Sequence, residues 1–143
     1  MSKQIELDLD SIQKAILHIG GLVEDRVDKA LTALLGRDAA LAREVIDGDN
    51  VIDDLELEVE ERCLDILALR QPVAKDLRLV TGIMKINSDL ERMGDLAVNI
   101  AERAEVLAFV PSLPFRPDVS DGTNASTVAA VPPGRHQDGG GRQ

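Results

Sequence analysis

Seven pairs of acidic residues stand four apart along this chain, a spacing that puts both carboxylates on one face of a helix. Like charges so placed repel, so each pair mildly opposes the helix that carries it. Position singles out three of them: Glu24/Asp28, Asp49/Asp53 and Glu91/Asp95. The midpoints of the last two, 51 and 93, are equidistant from Pro72, where a turn must fall. In an antiparallel hairpin such residues lie at one height. Reflecting Glu24/Asp28 through a first turn near Arg37 brings it about three residues from 51, or roughly 4–5 Å at 1.5 Å per residue. One acidic pair from each of three helices therefore reaches a common level. Asn99, one turn beyond Asp95, extends the row with a neutral oxygen. Six carboxylates on helices roughly 8–10 Å apart repel strongly unless cations or protons neutralise them. Oxygen-rich sites suit Mg, Ca, Mn or Fe, and closely spaced carboxylates can bridge more than one ion. The competing reading is a solvated acidic face, because 26 acidic residues generate several such pairs by chance. The Glu-x-x-His pairs of the di-iron bundle do not occur.

The elements that must position these groups read as three long helices. In the first, Leu9, Ile12, Ile16, Ile19, Val23, Val27, Ala30 and Leu34 recur at spacings of three and four, and Gly36 stops it. Asp38 is placed to cap the second, which runs through Val45, Ile52, Leu55, Val59, Ile66 and Leu67 to Pro72. The third alternates through Leu79, Ile83, Ile86, Leu90, Met93, Ala97, Ile100, Ala104 and Leu107. Two short connections between three long helices predict an all-α, antiparallel up-down-up bundle over 1–109. Composition agrees: aromatics are 1% of 143 residues, so the core must be aliphatic, which suits helices better than a sheet. Beyond 109 the chain holds five of its six prolines and a Gly139–Gly141 run, with few large apolar residues. Residues 110–143 are therefore expected to be a disordered tail.

The same numbers exclude function classes. The 1–109 region carries 23 acidic and 13 basic residues, so the net charge of −10 resides there and nucleic acid is an improbable partner. No apolar run approaches the roughly 18 residues of a membrane span. With no signal-peptide pattern at the N-terminus, the expected location is cytoplasmic. One cysteine excludes an internal disulfide, and Cys63 reads as a small core residue. His18 reads as an ordinary helix position. Arg70, Lys75 and Arg78 cluster at the Pro72 turn. They read as helix-end charges and ion-pair partners, or as a docking tip for a partner. No nucleophile–base pair or phosphate loop is present.

Two motifs along this hairpin carry a resemblance. Arg70-Gln71-Pro72-Val73-Ala74 with Asp76-Leu77-Arg78 stands at the turn, and Glu91-Arg92-Met93-Gly94-Asp95 with Asn99-Ile100 follows on the third helix. Together with Asp49-Asn50-Val51-Ile52-Asp53-Asp54-Leu55-Glu56, they closely resemble the PhoU family over roughly residues 7 to 108. The resemblance implies a cytoplasmic helical regulator that represses phosphate uptake. Its implied partners are the phosphate ABC transporter and a two-component sensor histidine kinase. It also implies divalent or trivalent metal ions in a multinuclear cluster, iron or zinc with Mg or Mn as alternatives, held by paired Glu/Asp-x-x-x-Asp motifs. Glu91/Asp95 matches that motif best, Asp49/Asp53 second and Glu24/Asp28 third. Family members carry a second three-helix repeat, which residues 110–143 do not resemble, so two copies are expected to pair as a homodimer. Two other function classes stand beside this non-enzymatic adaptor: a carboxylate-bridged metalloenzyme, and a helical scaffold without metal.

Overall fold

The structure is a computed structural model that describes residues 2–111, apart from the side chains of Ser2 and Asp49. Four helical segments follow in order: α1 Ser2–Gly36, α2 Ala39–Asp47, α3 Asp49–Arg70 and α4 Ala74–Ala108. The second arm of the bundle is α2 and α3 together, running antiparallel to α1 and α4. The up-down-up bundle is thus formed by three arms, and no strand occurs among the described residues. At 1.5 Å per residue, α1 and α4, with 35 residues each, are roughly 52 Å long. The compact unit built by these helices ends at Val110. From 112 onward the expected disordered tail lies outside the described residues.

Each turn is fixed by local chemistry. At the end of α1 the left-handed residue is Arg37 (φ 53°), not Gly36, which remains helical. The Asp38 N–H donates to the Ala33 carbonyl at 2.9 Å and the Arg37 N–H to Leu34 at 3.4 Å, which closes the last turn. Asp38 then caps α2, its carboxylate accepting from the Leu41 N–H at 3.0 Å. At the other end of the bundle, Pro72 keeps the residue before it out of the right-handed helical region, which ends α3 at Arg70, and Gln71 is left-handed (φ 48°). Val73 is extended, and α4 begins at Ala74.

Two expectations need correction. The second helix is not continuous: it breaks at Gly48, whose N–H donates to the Glu44 and Ile46 carbonyls. The break frees the Val45 carbonyl, which accepts from the Arg26 guanidinium of α1. That guanidinium lies where a Cβ on residue 48 would be, with Nη2 only 1.8 Å from the ideal position. The second correction concerns the rotation of α4. Its buried positions are Val80, Ile83, Asn87, Gly94, Ala97, Ala101 and Ala104. Ile86 and Met93, read as seam residues, are 48% and 45% exposed, and Leu107 is also partly exposed. The apolar strip on α4 is wider than its contact. The small residues Gly94, Ala97, Ala101 and Ala104 allow the closest helix approach, so they take the interface.

The core divides into two parts that track this difference. Toward the Pro72 turn, branched residues fill it: Ile12, Ile16, Ile19 and Val23 of α1 meet Ile52, Val59 and Ile66 of α3 and Val80 and Ile83 of α4. Toward the Gly36 turn it is built from Ala30, Ala33, Ala42, Val45, Ala97, Ala101 and Ala104. Arg43 of α2 clamps Glu105 of α4 there through two hydrogen bonds, at 2.8 and 3.0 Å.

Gly48→Ala tests the elbow. Alanine is compatible with the backbone at residue 48 (φ −86°) and would gain about 0.4–1 kcal/mol from reduced unfolded-state entropy. It also expels the Arg26 guanidinium, and a hydrogen bond from a charged group is worth about 1.5–3 kcal/mol. The expected outcome in urea denaturation is a net loss of about 1 kcal/mol. On an Arg26→Ala background, the same substitution should be neutral or stabilising.

Candidate functional site

Asp53, Glu56, Leu57 and Glu60 of α3 and Asn87, Glu91 and Asp95 of α4 line one groove of about 320 Å³. Spacings of three and four put each set on one stripe of its helix, and the antiparallel return at Pro72 sets the stripes side by side. Asp53 and Glu91 are equidistant from Pro72 and share the groove, so the expected matching of heights holds for this pair of helices. No lysine or arginine lines it. A smaller hollow of about 150 Å³, lined by Glu60, Met84, Asn87, Ser88 and Glu91, adjoins it.

Not every expected ligand is here. Glu24 and Asp28 are exposed on α1 and do not line the groove. Asn99 is exposed on α4 and does not line it either. Asp49 opens α3, and its side chain lies outside the described residues. Among the described residues, no three His, Cys, Asp or Glu side chains stand close enough to hold an ion as they are. Three polar groove residues were not among the expected ligands: Glu56, Glu60 and Asn87. Glu56/Glu60 is itself an acidic pair, and its midpoint reflects through Pro72 close to Asn87, so the height argument had the means to find it. Asn87 was hidden because the seam was drawn through its neighbour Ile86.

Among the described residues, Glu56 and Asn87 are the buried polar ones, at 6% and 8% exposure. The Asn87 Nδ2 donates to the Glu56 carbonyl oxygen at 2.9 Å and ties α4 to α3 beneath the acidic rows. Its Oδ1 is buried without a hydrogen-bond partner among the described residues. Asp53, Glu60, Glu91 and Asp95 above it are exposed and carry oxygen donors of the kind hard cations accept.

The basic residues at the Pro72 turn divide. The Arg70 Nε donates to Asp8 of α1 at 2.9 Å, with both side chains less than one-third exposed. That hydrogen bond holds the Asp8 carboxyl below its usual range. Lys75 and Arg78 are exposed, beside Leu69 and Val73, which are 70% and 74% exposed. Cys63 is fully buried, and burial pushes its thiol up. His18 is exposed on α1.

The family pattern described as PhoU domain matches residues 16–104. The chain belongs to the PhoU family. Over 113 residues it is 49% identical to a phosphate-specific transport system accessory protein PhoU homolog of Aquifex aeolicus, covering 79% of this chain and 50% of that protein. The Escherichia coli K12 protein named phosphate-specific transport system accessory protein PhoU is 41% identical over 104 residues, 73% of this chain and 43% of its own length. The crystal structure of PhoU from Pseudomonas aeruginosa superposes with a TM-score of 0.73 at 41% identity, covering 77% of this chain and 53% of that one. The chain spans about half the length of the curated relatives it matches.

Asp8→Asn tests the ion pair that ties α1 to the turn. Because the folded-state carboxyl titrates below the unfolded one, the pair stabilises the protein fully above the unfolded value, near 4. That contribution is lost as pH falls through the folded value. The variant is expected to lose up to about 1 kcal/mol at pH 7. The difference from the parent should vanish under strongly acidic conditions, measured by denaturation across pH.

Proposed function

We propose that this chain is a regulatory adaptor of phosphate transport. In this reading it represses phosphate uptake and phosphate-responsive signalling by binding the phosphate ABC transporter, a sensor histidine kinase, or both, in the cytoplasm. The observation that carries the reading is 41–49% identity to proteins named as accessory to phosphate-specific transport, across about three-quarters of the chain. None of the described helices is long and apolar enough to cross a membrane, which agrees with an accessory role beside a membrane transporter. The activity is binding, without turnover of a substrate.

In the same reading the groove between α3 and α4 holds the metal. Asp53, Glu91 and Asp95, with Glu56 and Glu60 beside them, provide oxygen donors of the type that Fe, Mn, Mg and Zn accept. A bound cation supplies the positive charge that the groove residues lack. Drawing these side chains together costs repulsion, and the two helices must remain rigidly paired for the donors to converge. Lys75 and Arg78, projecting with Leu69 and Val73 from the Pro72 turn, form the docking tip for the partner. The exposed flank of α4 carrying Ile86, Met93 and Leu96 is the surface on which two copies pair as a homodimer.

Two measurements test this reading. Elemental analysis of the tag-free chain beside the Glu91→Ala/Asp95→Ala variant is expected to show stoichiometric metal in the parent and background in the variant. Background in both would sink the metal site while leaving the regulatory reading intact. Expression of the 143-residue chain in a strain deleted for its PhoU relative is expected to restore repression of a phosphate-starvation reporter at high phosphate. A reporter that stays fully derepressed despite normal protein levels would overturn the adaptor role.

A further inference from the structure

Another hollow, of about 320 Å³, lies between α1 and α3 near the Pro72 turn. Its polar lining is Asp8 and Ser11 of α1 with Arg62, Asp65 and Arg70 of α3, over the buried Ile12 and Ile66. That volume is at the small end of the roughly 300–1,000 Å³ that ligand clefts span. Unlike the acidic groove, this hollow is lined by two guanidiniums. Arg62 and Arg70 stand eight residues apart on α3, roughly 12 Å along the helix. Their α1 partners, Ser11 and Asp8, are three apart, or roughly 4.5 Å. The two heads are therefore drawn toward each other across the hollow.

Both heads keep donors in reserve. The Arg70 Nε donates to the Asp8 carboxylate at 2.9 Å, and its two Nη groups have no acceptor among the described residues. Arg62 donates from Nη1 to the Ser11 Oγ at 2.9 Å and from Nη2 to Glu58 at 2.6 Å, which leaves Nε. Ser11 accepts there, so its own hydroxyl proton remains to be donated. Weakly hydrated, fork-shaped guanidiniums are the side chains that match tetrahedral oxyanions best. Asp65 is exposed between them, and both arginines bond other carboxylates, Glu58 and Asp8, in place of it.

A carboxylate beside an anion site repels most anions but selects one kind. Ionised, it only accepts hydrogen bonds. Hydrogen phosphate keeps a proton near neutral pH and can donate it, whereas sulfate, of the same shape and charge, has none to give. Next to a carboxylate, hydrogen phosphate gains a short charge-assisted O–H···O bond and sulfate meets only repulsion.

We propose that the hollow between α1 and α3 binds hydrogen phosphate, with Arg62, Arg70 and Ser11 donating to its oxygens and Asp65 accepting from its hydroxyl. Asp8 holds the Arg70 head in place. Leu69 and Arg70 belong both to this hollow and to the Pro72 turn, so occupancy alters the surface on which the partner docks. That consequence rests on the adaptor reading above; the binding itself does not.

The test titrates the full chain with sodium phosphate, and separately with sodium sulfate, near neutral pH and at constant ionic strength, read by isothermal calorimetry. A chelator strips the chain first, because a cation in the acidic groove would itself attract phosphate. The parent is expected to bind phosphate saturably and about tenfold or more tighter than sulfate. Asp65→Asn is expected to lose that preference through weaker phosphate binding, while melting near the parent because the position is exposed. Arg62→Gln, which leaves the Asp8–Arg70 pair intact, is expected to weaken both anions about tenfold or more. No saturable phosphate binding by the parent, or parent-like phosphate binding by Arg62→Gln, would overturn the proposal. Equal affinity for the two anions in the parent, or an unchanged preference in Asp65→Asn, would overturn the role of Asp65. Restored repression of the phosphate-starvation reporter would stand in each of these cases, so this proposal and the adaptor reading fail separately.

Discussion

The turn at Pro72 is the constraint on which the rest of the groove depends. A proline keeps the residue before it out of the right-handed helical region, so α3 ends at Arg70, and Gln71 makes the turn in the left-handed region. The connection to α4 is then only three residues, too short to allow slippage of one helix along the other. Every residue of α3 is thereby paired in height with one partner on α4. Asp53 with Glu91 and Glu56 with Asn87 are consequences of that arithmetic as much as of side-chain chemistry. The Asp8–Arg70 pair adds a second tie at the same end, joining α1 to the last turn of α3.

Holding two acidic rows side by side opposes this arrangement, and the opposition must be met on the other face of the helices. The branched aliphatic half of the core lies directly behind the groove, with Ile52, Val59 and Ile66 of α3 against α1 and with Val80 and Ile83 of α4. Burying such a side chain is worth about 1.5–3 kcal/mol, whereas an exposed like-charge pair costs a few tenths. Packing therefore wins comfortably, and the carboxylates can be kept together without unfolding the helices. At the far end the chain uses the opposite device. Ala97, Ala101 and Ala104 leave room for close approach, and the Arg26 and Arg43 guanidiniums cross between helices where side chains are too small to interlock deeply.

How much of this was legible in the sequence follows from which quantity each inference needed. Heights need only the rise per residue and the position of a turn, both of which a proline and a helical period supply, so Asp53 and Glu91 were correctly matched across the hairpin. Rotation needs to know which apolar residues touch, and α4 carries more of them than its interface uses. Hydropathy drew the seam through Ile86 and Met93, whereas the close approach of the helices buries small residues such as Gly94 and Ala97 instead. The break at Gly48 depended on a guanidinium arriving from α1, nineteen residues or more away in sequence, which no local pattern records. Glu24 and Asp28 lay at a plausible height but sit on α1, and height without rotation cannot place a residue in a groove.

The same distinction explains why the polar residue mattered more than its charge-bearing neighbours for reading the groove. A carboxylate on a helix surface is satisfied by water wherever it points, so Asp53, Glu91 and Asp95 would be stable with or without a ligand. Asn87 has no such freedom, because the packing that removes water from its Oδ1 also removes its only general-purpose partner. Its other branch is useful to the fold, since it holds the Glu56 carbonyl across the helix pair. That bond alone would be a weak reason to keep an amide in an aliphatic strip: a neutral hydrogen bond contributes about 0.5–1.5 kcal/mol, no more than the unpaired oxygen takes away. The groove above it is rich in negative charge and lined by no lysine or arginine, so its field attracts cations from solution whether or not the amide takes part.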